Sequence, residues 1–93
     1  MKIVYRLKFV NEFNNIWDYI SLDSKNRANK FKKEFRELIE DIPFMPYKYR
    51  KSIYFDDKDI RDLIFKGYVV PYKVDEAKNQ IIIIGVNKYK ANL

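Results

Sequence analysis

The apolar residues of this chain repeat with a period of two, then of about 3.6, then of two again, and each change falls at a residue suited to make it. Ile3, Tyr5, Leu7 and Phe9 alternate with Val4, Arg6 and Lys8, which predicts a strand over residues 3–9 with one solvated side. From Asn11, a residue able to cap a helix, Phe13, Ile16, Trp17 and Ile20 fall at i, i+3, i+4 and i+7. Leu22, Asp23 and Ser24 break that pattern, and Asp23 or Ser24 can cap a second helix whose stripe is Ala28, Phe31, Phe35, Leu38, Ile39 and Ile42. Pro43 ends it, because proline lacks the N–H that the helical ladder needs. So short a connection predicts an antiparallel helical hairpin.

Beyond residue 59 the pattern is that of strands. Residues 60–65 read as one, Gly67 permits a turn, and residues 68–74 read as another. Pro71 cannot donate to a ladder, so it should stand at an edge or a bulge. Residues 75–79 form a hairpin loop, and Gln80 to Val86 make a third strand. Its unbroken isoleucine run suggests burial on both faces, at the centre of the sheet. The predicted fold is α+β in the order β-α-α-β-β-β: an N-terminal strand, an α-helical hairpin, and a three-stranded antiparallel run that completes a small, mostly antiparallel sheet. Residues 1–93 form a single domain.

Composition narrows the chemistry. Neither cysteine nor histidine occurs, which excludes a disulfide framework, thiolate or imidazole metal ligands, a cysteine nucleophile and a Ser-His-Asp triad. The longest apolar run, Ile81 to Ile84, is far too short to span a bilayer, so a soluble cytoplasmic protein without membrane or cofactor partners is expected. The acidic turn at residues 56–59 lacks the glycine and the closing glutamate of a calcium loop.

Nineteen Lys and Arg against thirteen Asp and Glu give a formal charge of +6, which attracts nucleic acid or an acidic protein and also keeps a small domain soluble. The second helix carries Lys25, Arg27, Lys30, Lys32, Lys33 and Arg36, with its acids deferred to Glu34, Glu37, Glu40 and Asp41. That order opposes the helix macrodipole and hints at a face kept for a partner. Residues 42–55 contain no acid and interleave Phe44, Tyr47, Tyr49, Tyr54 and Phe55 with Lys48, Arg50 and Lys51. Such interleaving suits a surface that grips single-stranded nucleic acid. A loop anchored to the core by its aromatic rings is the plainer expectation.

Taken in order, Phe13-x-x-Ile16-Trp17-x-Tyr19-Ile20, Asp23-Ser24-x-x-x-Ala28-x-x-Phe31, Ile39-x-x-Ile42-Pro43, Ile60-Arg61-x-Leu63 and Gly67-Tyr68-x-Val70-x-Tyr72-x-Val74-Asp75 resemble the RelE/ParE superfamily of type II toxins, from about Tyr5 to Tyr89. The helical signature is closer to the ParE branch. The resemblance implies a small basic toxin held in a hetero-oligomer by a cognate antitoxin, whose C-terminal segment covers a sheet edge or the groove of the helical hairpin. It also implies one of two activities. The ParE branch poisons DNA gyrase and is not known as a nuclease; the RelE branch is a metal-independent endoribonuclease that cuts mRNA on the ribosome.

RelE-type enzymes place an arginine directly after the Gly-Tyr of the third strand, and this chain has Val69 there. An arginine is frequent at that place in the ParE pattern too. Replacing a guanidinium by an isopropyl group removes a charge-assisted phosphate contact, and one such donor contributes about 3–4 kcal/mol to a transition state. Binding to a target, gyrase foremost, is therefore expected rather than cleavage. The expected target surface comprises Arg61, Lys73, Asn87, Lys88, Tyr89 and Lys90, and the antitoxin surface Trp17 and Tyr19. Were the chain a ribonuclease, Arg61, Lys88, Tyr89 and Lys90 would carry the reaction. A degenerate, non-toxic member, or a plain nucleic-acid-binding module using residues 47–54, stands as the alternative.

Overall fold

A computed structural model of the chain describes residues 1–88. The elements run β1 (Lys2–Tyr5), α1 (Leu7–Asp23), α2 (Lys25–Asp41), a 3-10 turn (Ile42–Phe44), β2 (Arg50–Lys51), β3 (Ile60–Phe65), β4 (Tyr68–Asp75), β5 (Gln80–Ile83) and β6 (Asn87–Lys88). One sheet has the order β1-β5-β4-β3-β2, with β6 beside β4. β1 runs parallel to β5 and all other pairs are antiparallel. The expected β-α-α-β-β-β order holds, and two short strands, β2 and β6, are added to it.

The first strand is shorter than its alternation suggests. It stops at Tyr5, the Arg6 N–H donates to the Ile83 carbonyl at 3.1 Å, and Val10 N–H already bonds back to Arg6. The helix thus begins at Leu7 and not at Asn11, with Arg6 in extended backbone before it and no side-chain cap. The reason lies in the core. Phe9 stands four residues before Phe13 and extends the helical stripe backward, burying its ring, whereas Leu7 is 73% exposed.

Ser24 is the whole connection between the helices. Its N–H bonds the Ile20 carbonyl, and its hydroxyl caps α2 by accepting from Arg27 N–H at 3.2 Å. α2 buries Ala28, Phe31, Phe35 and Ile39, and Pro43 then turns the chain into the 3-10 segment. Phe31, Phe35 and Ile39 share one buried core with Leu63, Val70, Tyr72, Val74, Ile81 and Ile83 of the sheet. Ring contacts at 5.3–6.4 Å link Phe9, Phe13, Phe31, Phe35, Phe65 and Tyr68 across the two layers. Truncating the buried Phe35 to alanine would cost about 3–5 kcal/mol.

Lys66 and Gly67 form the two-residue turn between β3 and β4 with φ of 48° and 82°, the doubly positive geometry that matches strand twist. β4 is a central strand, so Pro71 is not at an edge. It is at a bulge. Tyr72 pairs with Ile83 and Val69 with Asn87, so Val70 and Pro71 face three residues, Ile84, Gly85 and Val86. Pro71 accepts from Ile84 N–H at 3.0 Å, and its missing N–H falls where the ladder is interrupted.

Candidate functional site

The bulge ends in β6, and α1 fixes its course. Glu12 Oε1 accepts from Val86 N–H at 3.1 Å while both carboxylate oxygens receive Lys8 Nζ at 2.9–3.0 Å. The Asn87 amide, with its nitrogen turned toward Glu12, donates to Oε2 at 3.3 Å. A Cβ on Gly85 would come within 2.7 Å of Glu12 Oε1, so the missing side chain is what lets the carboxylate approach. Glu12 carried no signal in the sequence, because its partner lies 74 residues away in an unrelated period. Beside this clamp, Ile16, Tyr19, Tyr68, Val86, Asn87 and Lys88 line an open cleft at one end of the sheet.

The remaining expected target residues lie elsewhere. Lys73 is five residues along β4 from Tyr68, the partner of Lys88, roughly 16 Å away at about 3.3 Å per residue. It pairs with Ile60 and Ile82 on the face turned from the helices and forms an ion pair with Asp57 at 3.4 Å. Arg61 is opposite Tyr72, on the other face of the sheet. Its guanidinium donates to the carbonyls of Lys58, Tyr47 and Tyr49 at 3.2–3.4 Å and lies 4.9 Å from the Tyr47 ring centroid. Among the expected target residues, only Asn87 and Lys88 come together; Tyr89 and Lys90 lie outside the described residues.

The expected antitoxin pair is also divided. Tyr19 is 74% exposed and lines the cleft with Lys88, whereas Trp17 is half-buried, with no partner for its indole N–H among the described residues. Two residues apart on a helix, they cannot share a face. Val69, paired with Asn87, is 2% exposed, so the position after Gly-Tyr is packed with aliphatic carbon.

Residues 42–55 depart from the anchored-loop expectation. Tyr49 packs edge-on against Tyr72 at 6.2 Å, but Phe44, Met45, Ile53 and Tyr54 are half or more exposed. The backbone does the anchoring. Tyr72 Oη donates to the Pro46 carbonyl at 2.6 Å, and the buried Asp62 carboxylate accepts from Ile53 N–H at 3.2 Å and from Arg50 at 3.3 Å. Burial is the main cause that pushes the Tyr72 phenol far above the usual tyrosine range, so it stays a donor in any ordinary buffer.

No curated protein matches the chain in sequence. Among solved structures, the chromosomal ParDE system of P. aeruginosa is similar at TM-score 0.76 and 16% identity, with 97% of each chain covered. The isolated E. coli RelE toxin gives 0.57 and 17%, covering 98% of this chain and 86% of RelE. An E. coli RelE double mutant in complex with an antitoxin RelBc peptide gives 0.58 and 18%, covering 97% and 84%. These likenesses concern the fold. The family described as the ParE toxin of the type II toxin-antitoxin system parDE matches residues 3–92. The chain belongs to the ParE toxin family.

Proposed function

We propose that this toxin arrests growth by binding DNA gyrase, without cutting RNA, and that a cognate antitoxin neutralises it. The observation that supports binding without cleavage is the burial of Val69 at the place where the resemblance implies an arginine; the choice of gyrase follows from membership of the ParE family. Cleavage of RNA without metal or imidazole needs cations held at the reacting phosphate and a group to move the proton. A side chain that is aliphatic and packed supplies neither. Arg61, the other guanidinium the resemblance names, is engaged by three backbone carbonyls.

In this reading Asn87 and Lys88 contribute the target contact at the cleft, and Tyr19 contributes to the antitoxin contact. Because Tyr19 and Lys88 line one cleft, antitoxin and target compete for it directly. Lys73 and Arg61 stand apart from that cleft, on opposite faces of the sheet.

The test uses purified protein in two assays run side by side. Loss of negative supercoiling by gyrase, with messenger RNA intact in a translating extract, is the expected result. Translation-dependent RNA cleavage with unaffected supercoiling would overturn it.

A further inference from the structure

Six large apolar side chains in residues 44–55 face solvent: Phe44 at 82%, Met45 at 63%, Ile53 at 61%, Tyr54 at 50%, Phe55 at 41% and Tyr47 at 38%. They form two banks around β2, the edge strand opposite β1. Phe44, Met45 and Tyr47 lie on the stretch tied to Arg61 and Tyr72, on the helix-side face. Ile53, Tyr54 and Phe55 lie on the stretch tied to Asp62, on the opposite face. The backbone between the banks is pinned, through Arg61 to the Tyr47 and Tyr49 carbonyls, Tyr72 to Pro46, Asp62 to Ile53, and the Ser52 hydroxyl to Tyr54 N–H at 3.1 Å.

A sequence that leaves so much apolar surface wet while fixing the backbone beneath it presents a preorganised contact surface. The side chains are of the kind that dominates the centres of protein interfaces: aromatic rings and methionine, with an arginine beside them. Met45 and Ile53 have no flat face on which a base can stack, so the composition favours a protein over single-stranded nucleic acid. The charge selects which protein. No acid occurs in residues 42–55 and Lys51 is exposed; Lys48, also exposed, lies 3.9 Å from Asp41 at the start of the stretch, and beyond the second bank Asp56 is exposed while Asp57 is offset by Lys73.

We propose that this rim is a second docking surface for the toxin's protein target and takes an acidic surface with an apolar centre. The proposal rests on the reading of the chain as a toxin that binds rather than cuts. The rim is built on β2, remote from the cleft at Lys88, so the target is gripped at two places.

The test uses the full chain with Phe44→Ser, Met45→Ser and Ile53→Ser combined, and separately with Lys48→Glu and Lys51→Glu. All five positions are exposed, and circular dichroism with thermal unfolding verifies that both variants fold as the wild type does. Each is expressed in cells to read growth arrest and titrated into a gyrase supercoiling assay. Both variants should need about tenfold more protein for arrest and for inhibition. Wild-type potency in the folded serine variant overturns the proposal, as does a wild-type chain that leaves growth untouched. Loss, in the serine variant, of a salt-sensitive affinity for a fluorescent single-stranded oligonucleotide also overturns it and makes the rim a nucleic-acid platform. Should the wild type arrest growth without touching gyrase while the serine variant fails to arrest growth, the rim stands and the choice of gyrase falls.

Discussion

Glu12 Oε1 lies 2.7 Å from the point that a Cβ on Gly85 would occupy, and the same oxygen holds Val86 N–H. An alanine at 85 forces the carboxylate aside, and the Val86 N–H loses its acceptor. Gly85→Ala is expected to destabilise the fold by about 1 kcal/mol, read as a lower unfolding midpoint. In a Glu12→Ala background the added loss should shrink to below about 0.5 kcal/mol, because the two sites share one interaction. Additive losses would show that the clamp does not operate.

Arg61 offers a sharper separation of structural from functional charge. Lysine keeps the charge but cannot bridge the carbonyls of Tyr47 and Tyr49 while lying over the Tyr47 ring. Arg61→Lys should cost about 1–2 kcal/mol in chemical denaturation and speed amide exchange in residues 47–51. An unchanged midpoint with lost toxicity would instead make Arg61 a contact residue.

Tyr72 sets the alkaline limit. Burial raises its phenol above the ordinary value of about 10 for an unfolded chain. The folded state therefore holds the proton more tightly, and the resulting stability is complete below pH of about 10 and is lost as the pH climbs toward the raised value. Tyr72→Phe should flatten that decline in a pH series of denaturation curves. Near neutral pH it should cost about 1–2 kcal/mol, because the Pro46 carbonyl loses its donor.

Lys88 and Lys73 carry the same charge at opposite ends of β4. Lys88→Glu should weaken gyrase inhibition about tenfold, with a salt dependence flatter than that of the wild type. Lys73→Glu should leave inhibition within about twofold and lower the stability slightly by setting like charges against Asp57. Equal losses from both would mean that the target contact is not confined to the cleft at Lys88.

Restoring a guanidinium after Gly-Tyr should fail as a gain of function. Val69 is packed, so Val69→Arg would bury charge or tear the β4–β6 pairing, at a cost of about 2 kcal/mol or more by thermal unfolding.

The periodic elements could be read directly because each buries one face. The stripe from Phe13 to Ile20, the stripe from Ala28 to Ile39 and the strands at residues 60–65 and 68–75 appear where the pattern puts them, whereas the third strand, expected to reach Val86, ends at Ile83 where the bulge begins. The first boundary is ambiguous in the sequence because Phe9 fits both periods, and only its burial against Phe13 and Phe35, which leaves Leu7 exposed, decides between them. Pro71 announced a bulge through chemistry, its missing N–H. The site was far less legible. Arg61, Lys73 and Lys88 are equally basic on paper, and nothing local reveals that strand pairing puts the first two on opposite faces and the third at the far end. Glu12 meets its partner through tertiary packing alone, and the wet rings of residues 44–55 were hidden by the assumption that aromatic side chains turn inward.

The pairing of β1 with β5 joins Lys2 to Gln80 and Tyr5 to Ile83. Loop closure of that span is slow next to helix formation, so the helical hairpin can form long before the sheet is whole. During synthesis β1 therefore waits longest of these strands for its neighbour. A toxin whose first strand can pair only after Gln80 to Ile83 have been added keeps an unfilled place in its sheet for as long as those residues are still to be made.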